Sequence, residues 1–436
     1  ILIVFEYQGN NAHGWYVDDV AITVYNKAFV GGSAEGATSW FNDGNWQPEG
    51  VPTLEQSVCI TSPAVIAEST SAAQANSIEF VEQGSLTIAD GGQLMTNNET
   101  TATVKKNIIG YGDNEGGYYL IANPLTNTIS PVNAGLITTE SDYDLYDWDY
   151  SASDGLEWRN YKEHNFNLYN SWGSLYANES DAELSFNGSI KANNIPVTRT
   201  TSYSSGYEFG GWRLYGNPFV CDAYLHTEST EIAFFRMNAT GDGFETATGA
   251  IHPLEGFFVQ VTASGQSLTI SREAPAQRGQ LNLNLSRNNR RLDNAIIIFG
   301  EGRNLGKLSF RANSSKVYMP MEDKDCAAVF TTGMGEIPVN FKPEEKGTYT
   351  LDFANQDVAF NYLHLIDNLT GIETDLLETP YYTFNAQTTD YASRFRLVFA
   401  TGSSVDGDSF GFLNSNGNFT IFGIDGEATL QVIDVL

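Results

Sequence analysis

Short runs of alternating apolar and polar residues recur along the chain and are separated by glycine and asparagine turns. Examples are SLTIADG, AELSFNGSI, LNLNLSR and GTYTLDF. A period of two residues is typical of half-buried strands, and turns every ~8–12 residues are typical of sandwiches and rolls. Because 436 residues exceed the size of one ordinary domain, the pattern predicts an all-β, multi-domain protein with β-sandwich or jelly-roll-like modules.

The same pattern divides the chain into five segments. The pattern of residues 1–27 predicts two strands, which are not stable alone, so we expect them either to end an upstream domain or to pack on the next module. Small polar stretches at 31–39 and 401–409 are typical of linkers. The chain opens on ILIVFEYQ without an initiating Met, so we expect a fragment of a longer polypeptide. The remaining segments are a small β-roll or β-helix-like module at 40–100, a β-sandwich-like module at 101–275, a C-terminal β-sandwich at 280–400, and the truncated start of another domain at 410–436.

An internal repeat lies in the segment 101–275. The run GYYLIANP from Gly117 to Pro124 recurs as GWRLYGNP from Gly211 to Pro218. Proline removes a ladder donor and restricts the residue before it, so Asn-Pro ends a strand. We therefore predict that both asparagines terminate strands and do not bind ligands.

Aromatic side chains are concentrated after the first copy of the repeat. Aromatic rings fill cores, and they also stack on sugar rings. Core packing is the favoured interpretation; rings exposed along one face would indicate a glycan-binding platform. The aromatic residues concerned are Trp148, Tyr150, Trp158, Tyr161 and Trp172.

Acidic residues outnumber basic residues 53 to 23, which gives a net charge of −30. Such a surface repels phosphate backbones, so we predict no nucleic-acid partner. The charge suits solubility in an extracellular medium, and carboxylates could also recruit calcium. No apolar run approaches the ~20 residues of a membrane-spanning helix, so no transmembrane segment is predicted.

Catalytic and metal-binding motifs are not recognisable in the sequence. Cys59, Cys221 and Cys326 lack zinc spacing and are predicted to be buried thiols, with one disulfide bridge and one free thiol as the alternative. The five histidines show no metal-site spacing, and His364 is expected at a half-buried sheet position. Glycine-rich runs lie between strands, where no helix presents amides to a phosphate. We predict no catalytic residue and no cofactor other than calcium, although a glycosidase-type carboxylate pair is recognisable only from its separation in space.

Several segments resemble large surface proteins exported by type IX secretion. The segment 361–400 contains the LIDNLTG turn and the SRFRLVF strand that recur in their final β-sandwich. WRLYGNP with GFFVQV resembles their repeated β modules, and WFNDGNWQPEGVPT resembles a module opening. The tail FLNSNGNFTIFGIDGEATLQVIDVL looks like the first half of a type IX sorting domain, and GWYVDDVAI is similar to the closing strand of cleaved-adhesin jelly rolls. The latter resemblance implies that residues 1–27 are the C-terminal strands of an upstream jelly-roll domain.

The last match includes Asp18 and Asp19. Adjacent strand residues point to opposite faces, so one of the two could join an inter-sheet calcium site. The resemblance implies a structural calcium ion there, whereas the residues alone favour an exposed acidic pair.

The resemblance implies export to the outer-membrane surface or the medium, with the C-terminus recognised by the secretion machinery. Our interpretation is a non-catalytic, adhesin-like binding or scaffold region whose partner is an unidentified protein or glycan at the cell surface. The alternative is the ancillary C-terminal region of a secreted hydrolase, such as a protease, with its catalytic domain upstream. A glycoside-acting enzyme within these modules ranks last.

Overall fold

The computed structural model describes residues 24–34, 36–112, 116–137, 142–227, 230–310, 313–321, 324–402, 411–415 and 418–422. Within these ranges the regular structure is β-strand, apart from one 3-10 turn at Asp43–Asn45. The all-β class is therefore confirmed. None of the described residues belongs to a helix long and apolar enough to cross a membrane. Residues 1–23 of the expected jelly-roll end and most of the tail after residue 402 lie outside the described residues.

The first part of the protein is a coil of short strands that stack in parallel. β3 pairs with β6, β4 with β7, and β5 with β8, so two successive turns of the coil lie on each other as in a β-helix. Buried apolar residues alternate with more exposed ones along β4, β5, β7 and β8, because one face of each strand is enclosed by the coil. The strands are β1 (Lys27–Phe29), β2 (Trp46–Gln47), β3 (Ser57–Ile60), β4 (Pro63–Ile66), β5 (Ala73–Ala75), β6 (Ser77–Phe80), β7 (Ser85–Ile88), β8 (Leu94–Thr96) and β9 (Thr100–Ile108).

Two four-stranded sheets with the same strand order form the middle of the protein. The orders are β10-β13-β11-β12 and β16-β21-β19-β20, and β10 and β16 carry the two copies of the sequence repeat. The strands are β10 (Tyr119–Ala122), β11 (Tyr143–Trp148), β12 (Trp158–Asn160), β13 (Gly173–Asn178), β14 (Ala182–Ile190), β15 (Val197–Thr200), β16 (Trp212–Gly216), β17 (Tyr224–Thr227), β18 (Thr230–Glu231), β19 (Phe234–Met237), β20 (Phe244–Ala247), β21 (Gly256–Gln260) and β22 (Ser267–Ser271).

The two sheets meet edge to edge through reciprocal contacts. The amide of Ala122 donates to the carbonyl of Leu254 at 2.8 Å, and the amide of Gly216 donates to the carbonyl of Ser171 at 3.0 Å. These are equivalent positions in the two copies, and both acceptor residues have positive φ, 62° at Leu254 and 66° at Ser171. The sheets are thus related by an approximate two-fold axis within one chain.

Other strands connect these sheets to the coil. β9 pairs with β14 over nine residues and also stacks in parallel on β7, which gives the mixed sheet β14-β9-β7-β4. This sheet therefore combines strands from before and after residue 100, where the sequence predicts a boundary between two modules. A second sheet has the order β15-β22-β17-β18. The domain limits given above stay a prediction.

The C-terminal part is one sheet of eleven strands that curls around its own core. Its order is β31-β30-β33-β28-β26-β27-β24-β23-β29-β32, with β25 on the side of β27. The ring of Phe341 contacts those of Tyr349 and Phe384 at 5.0 and 5.1 Å, so its two halves pack face to face. The strands are β23 (Gln280–Arg287), β24 (Arg290–Phe299), β25 (Leu305–Gly306), β26 (Lys316–Met321), β27 (Lys324–Thr331), β28 (Met334–Lys342), β29 (Gly347–Gln356), β30 (Phe360–Asp367), β31 (Ile372–Asp375), β32 (Tyr381–Ala386) and β33 (Phe395–Thr401).

The eleven-stranded sheet packs against the second of the duplicated sheets. Phe235 and Phe258 share a buried cluster with Ile296 and Ile298 of β24. At the edge of this contact the Asn294 side chain exchanges two 2.8 Å hydrogen bonds with the backbone of β20. After residue 402 the backbone of one hairpin is described, β34 (Gly411–Ser415) with β35 (Asn418–Phe422).

Candidate ligand-binding cleft

The predicted calcium position lies outside the described residues, which begin at residue 24. Asp18 and Asp19 therefore stay a prediction. Among the residues that the structure describes, no group of three or more His, Cys, Asp and Glu side chains is placed to hold a metal ion.

The three cysteines are buried and unbonded, as the sequence predicts. Burial raises the pKa of the Cys221 thiol to about 12, so it stays protonated and unreactive near neutral pH. His364 lies half-buried on β30 as expected, with its Nδ1 atom 2.8 Å from Glu373 Oε1 and its ring stacked on Tyr362.

The two Asn-Pro asparagines have identical structural roles. The Asn217 side chain accepts from the amide of Phe219 and donates to two backbone carbonyls at 2.8 and 2.9 Å. Asn123 makes the equivalent three bonds at 2.9, 2.9 and 3.0 Å. The side chains are 0% and 1% exposed. Both asparagines therefore hold the turn at the strand end, and the prediction that they are structural is confirmed.

The five crowded aromatic residues do not share one environment. Trp148 is buried, whereas Tyr150, Trp158 and Tyr161 are half-buried. Trp172 is 39% exposed and packs on Tyr215 away from the other tryptophans. They are therefore neither a fully buried core nor a flat exposed platform, but Trp158 forms part of a cleft.

The cleft has a volume of about 640 Å³ and lies where the first duplicated sheet faces a hairpin of the second sheet. Its apolar floor consists of Trp158, Phe244 and Phe310. The Trp158 and Phe310 ring centroids lie 5.8 Å apart, and those of Phe244 and Phe310 lie 5.3 Å apart. Because all three also touch Phe258 of the buried cluster, the floor is an exposed continuation of the core.

One wall of the cleft is a tyrosine–carboxylate network on the first sheet. Tyr118 donates its hydroxyl to Asp144 Oδ2 at 2.8 Å, and Tyr146 approaches Oδ1 at 3.5 Å. Burial and the bond to Asp144 raise the pKa of Tyr118 well above its usual value. Both tyrosines therefore stay protonated, and each hydroxyl oxygen keeps acceptor capacity.

The opposite wall is the turn between β19 and β20. Asp242 Oδ1 accepts from Asn238 at 2.7 Å and from Thr240 at 2.8 Å, while Oδ2 is paired with Arg290. Burial raises the pKa of Asp242, but these three donors outweigh it and leave the pKa below its usual value. Gly241 has a φ of 67°, and a Cβ atom there would lie 2.4 Å from the Tyr118 amide nitrogen. The glycine thus allows this turn to dock on the first sheet.

The second copy of the duplicated sheet shows that the fold does not require this network. The strand register aligns β10, β13 and β11 of the first copy with β16, β21 and β19 of the second. The equivalent pairs of residues are Tyr118 and Trp212, Asp144 and Ala233, and Tyr146 and Phe235. These second-copy residues are apolar and buried beneath the C-terminal sheet. The same face is therefore closed core in one copy and an open polar cleft in the other.

Two further hollows adjoin the cleft. One, of about 510 Å³, shares Tyr111, Tyr118 and Met237 with it and extends to Lys106 and His252. The other, of about 320 Å³, shares Phe244 and Arg290 with it and extends along the C-terminal sheet. We call the cleft with these two hollows the groove. Its length suits an extended ligand.

Sequence reasoning identified Trp158 but not the other cleft residues. Their side chains come from segments as far apart as residues 111 and 310 and meet through the packing of the two duplicated sheets and of the C-terminal sheet. The difference between Asp144 in the first copy and Ala233 in the second indicates the polar cleft. The two residues can be aligned only once the register of the sheets is known. No protein-family model, curated protein or solved structure matches the chain.

Proposed function

We propose that this chain is a non-catalytic, adhesin-like binding region of a secreted protein at the cell surface, and that the groove is its binding site. The observation that carries the proposal is the open polar cleft in the first copy, at the face that is closed core in the second. An open face forgoes the burial of apolar surface that the second copy achieves, so a ligand is the simplest reason for the opening.

Asp242 of the cleft is suited to hold a ligand and not to act as the proton donor of a glycosidase. A glycosidase requires one carboxylic acid whose raised pKa keeps it protonated as the proton donor. The pKa of Asp242 is instead lowered, and both of its oxygens are already occupied by donors. Asp242 is therefore ionised and held in place, as a residue that positions a ligand would be.

The proposed location is the outer-membrane surface or the medium, with the C-terminus recognised by the secretion machinery. The sequence resemblance of segment 361–400 to type IX cargo supports it. The net charge of −30 disfavours nucleic acid and leaves a protein or glycan at a cell surface as the partner.

Cell retention on protein-coated beads tests the proposal. Beads carrying the full chain should retain bacterial or mammalian cells, and Trp158→Ala should abolish retention because it removes part of the groove floor. Trp172→Ala is the matched control, because Trp172 lies on the same duplicated unit but outside the groove. If Trp158→Ala changes the circular dichroism spectrum, the conservative Asp144→Asn replaces it. Equal retention by wild type and groove variants, or no retention by either, contradicts the proposal.

The second candidate is the ancillary region of a secreted hydrolase, which the same resemblance supports. The groove would then hold a substrate for a catalytic domain elsewhere in the polypeptide. Mass-spectrometric peptide mapping of the native protein distinguishes the two, because a catalytic domain upstream of Ile1 would favour the hydrolase.

A further inference from the structure

We propose that the ligand of the groove is an uncharged sugar chain, with one ring seated on the aromatic floor of the cleft. This inference rests on the proposed binding function and adds the chemical class of the ligand. It depends on three features of the described residues: the arrangement of the rings, the hydrogen-bonding groups around them, and the local charge.

The three rings of the floor lie on one side of the cleft. The Trp158 and Phe310 centroids lie 5.8 Å apart with the ring planes at 59°, and those of Phe244 and Phe310 lie 5.3 Å apart at 67°. The three half-buried rings therefore form one apolar surface that is stepped and not flat. The apolar face of a pyranose ring packs well on such a surface.

Polar groups line the cleft beside this floor. Asp144 Oδ1 receives a single long contact of 3.5 Å from Tyr146, so lone pairs remain for ligand hydroxyl groups. The Tyr118 hydroxyl already donates to Asp144 and can still accept. On the other wall the exposed guanidinium of Arg290 supplies further donors beyond its bond to Asp242. Sugar hydroxyls both donate and accept, and they match this mixed rim.

The charge of the cleft disfavours an acidic sugar on its floor. The two hollows carry both signs of charge, and their further charged residues are Lys106, Arg291, Lys307, Lys316, Glu255, Asp293 and Glu344. Asp144 and Asp242 place two negative charges at the cleft, while Arg290 supplies one positive charge that Asp242 already engages. A sialic or uronic acid would bring a carboxylate beside Asp144 within a chain of net charge −30. The groove extends beyond the cleft on both sides, which suits a chain of several sugar residues.

A glycan microarray probed with the full chain, followed by titration calorimetry of the best binders, tests the proposal. Neutral oligosaccharides should bind, and glycans that differ by an added sialic or uronic acid should bind at least about tenfold more weakly. Trp158→Ala should raise the Kd of the neutral ligand at least about tenfold, as expected for an anchoring aromatic side chain. Trp172→Ala should leave the Kd unchanged. Binding confined to acidic glycans, or to lysine peptides and tetramethylammonium ions, overturns the proposal, and so does the absence of any bound glycan.

Periodate treatment of the cells separates this proposal from the proposed function. Periodate cleaves the vicinal diols of surface sugars, so it should abolish retention on protein-coated beads. Retention that survives periodate but is lost with Trp158→Ala would support the proposed binding function. It would contradict the proposal that the ligand is a sugar. Retention that is independent of the groove would refute the binding function itself.

Discussion

A buried ion pair joins the two motifs of segment 361–400. Asp367 ends β30, and Arg394 precedes β33. Arg394 Nη2 lies 2.9 Å from Asp367 Oδ2 and Nε lies 3.2 Å from Oδ1, with the side chains 3% and 0% exposed. Asp367 also accepts from the amide of Leu369 and the hydroxyl of Tyr382, both at 3.0 Å. We expect Asp367→Asn to weaken the C-terminal sheet strongly, because it leaves the arginine charge buried beside a neutral amide.

The size of the effect follows from what remains around Arg394. Removing one partner of a buried ion pair costs about 3–5 kcal/mol. Asp390 lies 3.5 Å from Arg394 Nη1 and compensates in part, so the lower value of about 3 kcal/mol is expected. This corresponds to an increase of roughly 100-fold in the opening equilibrium of the sheet.

Hydrogen exchange measured by mass spectrometry is the suitable assay. Residues 280–400 contain no tryptophan, so intrinsic tryptophan fluorescence does not report on this sheet. Peptides from β30 and β33 should exchange roughly 100-fold faster in Asp367→Asn. Glu345→Gln is the matched control in the same sheet, because the Glu345 side chain, paired with Arg287, is 66% exposed. Glu345→Gln should lower the free energy of unfolding by less than about 1 kcal/mol.

The pH dependence of stability is a second test of the same ion pair. Burial raises the pKa of Asp367, but Arg394, the Leu369 amide and Tyr382 lower it more, so the folded-state pKa lies below the ordinary value. The contribution of the pair is therefore fully present above the unfolded pKa of about 3.9 and is lost as the pH falls through the folded pKa. A difference between wild type and Asp367→Asn below about 1 kcal/mol at pH 7 would refute the reasoning.

Three further predictions concern other parts of the molecule. Asn217→Ala and Asn123→Ala should each lower the free energy of unfolding by about 3 kcal/mol or more in urea titrations, because each leaves one amide and two carbonyls without their partner; a loss below about 1 kcal/mol would show that water replaces the side chain. No cysteine thiol should react with a disulfide reagent in the native protein, whereas all three should react in urea, because each is buried; a fast-reacting native thiol would contradict this. The His252 imidazole should titrate above its ordinary pKa in NMR spectra, because Asp222 accepts its hydrogen bond, and Asp222→Asn should lower that pKa. The stabilisation from His252 is present below about pH 6.5 and lost as the pH rises through the native pKa; it should be small because the side chain is 59% exposed.

The strands were predictable where one side of a sheet is buried. Leu281, Leu283 and Leu285 alternate with polar residues on β23, and the structure buries all three. The repeat at Asn123 and Asn217 was equally legible, because each turn needs the same side chain for the same three backbone bonds. Local chemistry determines these features, so the sequence contains them.

The cleft could not be predicted because its walls come together only through tertiary packing. Tyr118 and Asp144 lie on neighbouring parts of the chain, whereas Asp242 reaches them from the second duplicated sheet and Phe310 from the C-terminal sheet, between β25 and β26. The edge-to-edge junction of the two duplicated sheets depends on Gly216, where a Cβ atom would lie 2.3 Å from the Ala122 side chain. A single glycine in the sequence of a repeat does not indicate which other part of the chain packs against it.

Hydrogen exchange with and without bound glycan tests the central claim most directly. The full chain would be compared alone and after saturation with surface polysaccharide released from the cells that the coated beads retain. Peptides containing Tyr118, Trp158 and Phe310 should become protected, and peptides of β29 and of the Trp172 surface should not change. Protection confined to the Trp172 surface or to the C-terminal sheet would contradict the assignment of the groove as the binding site.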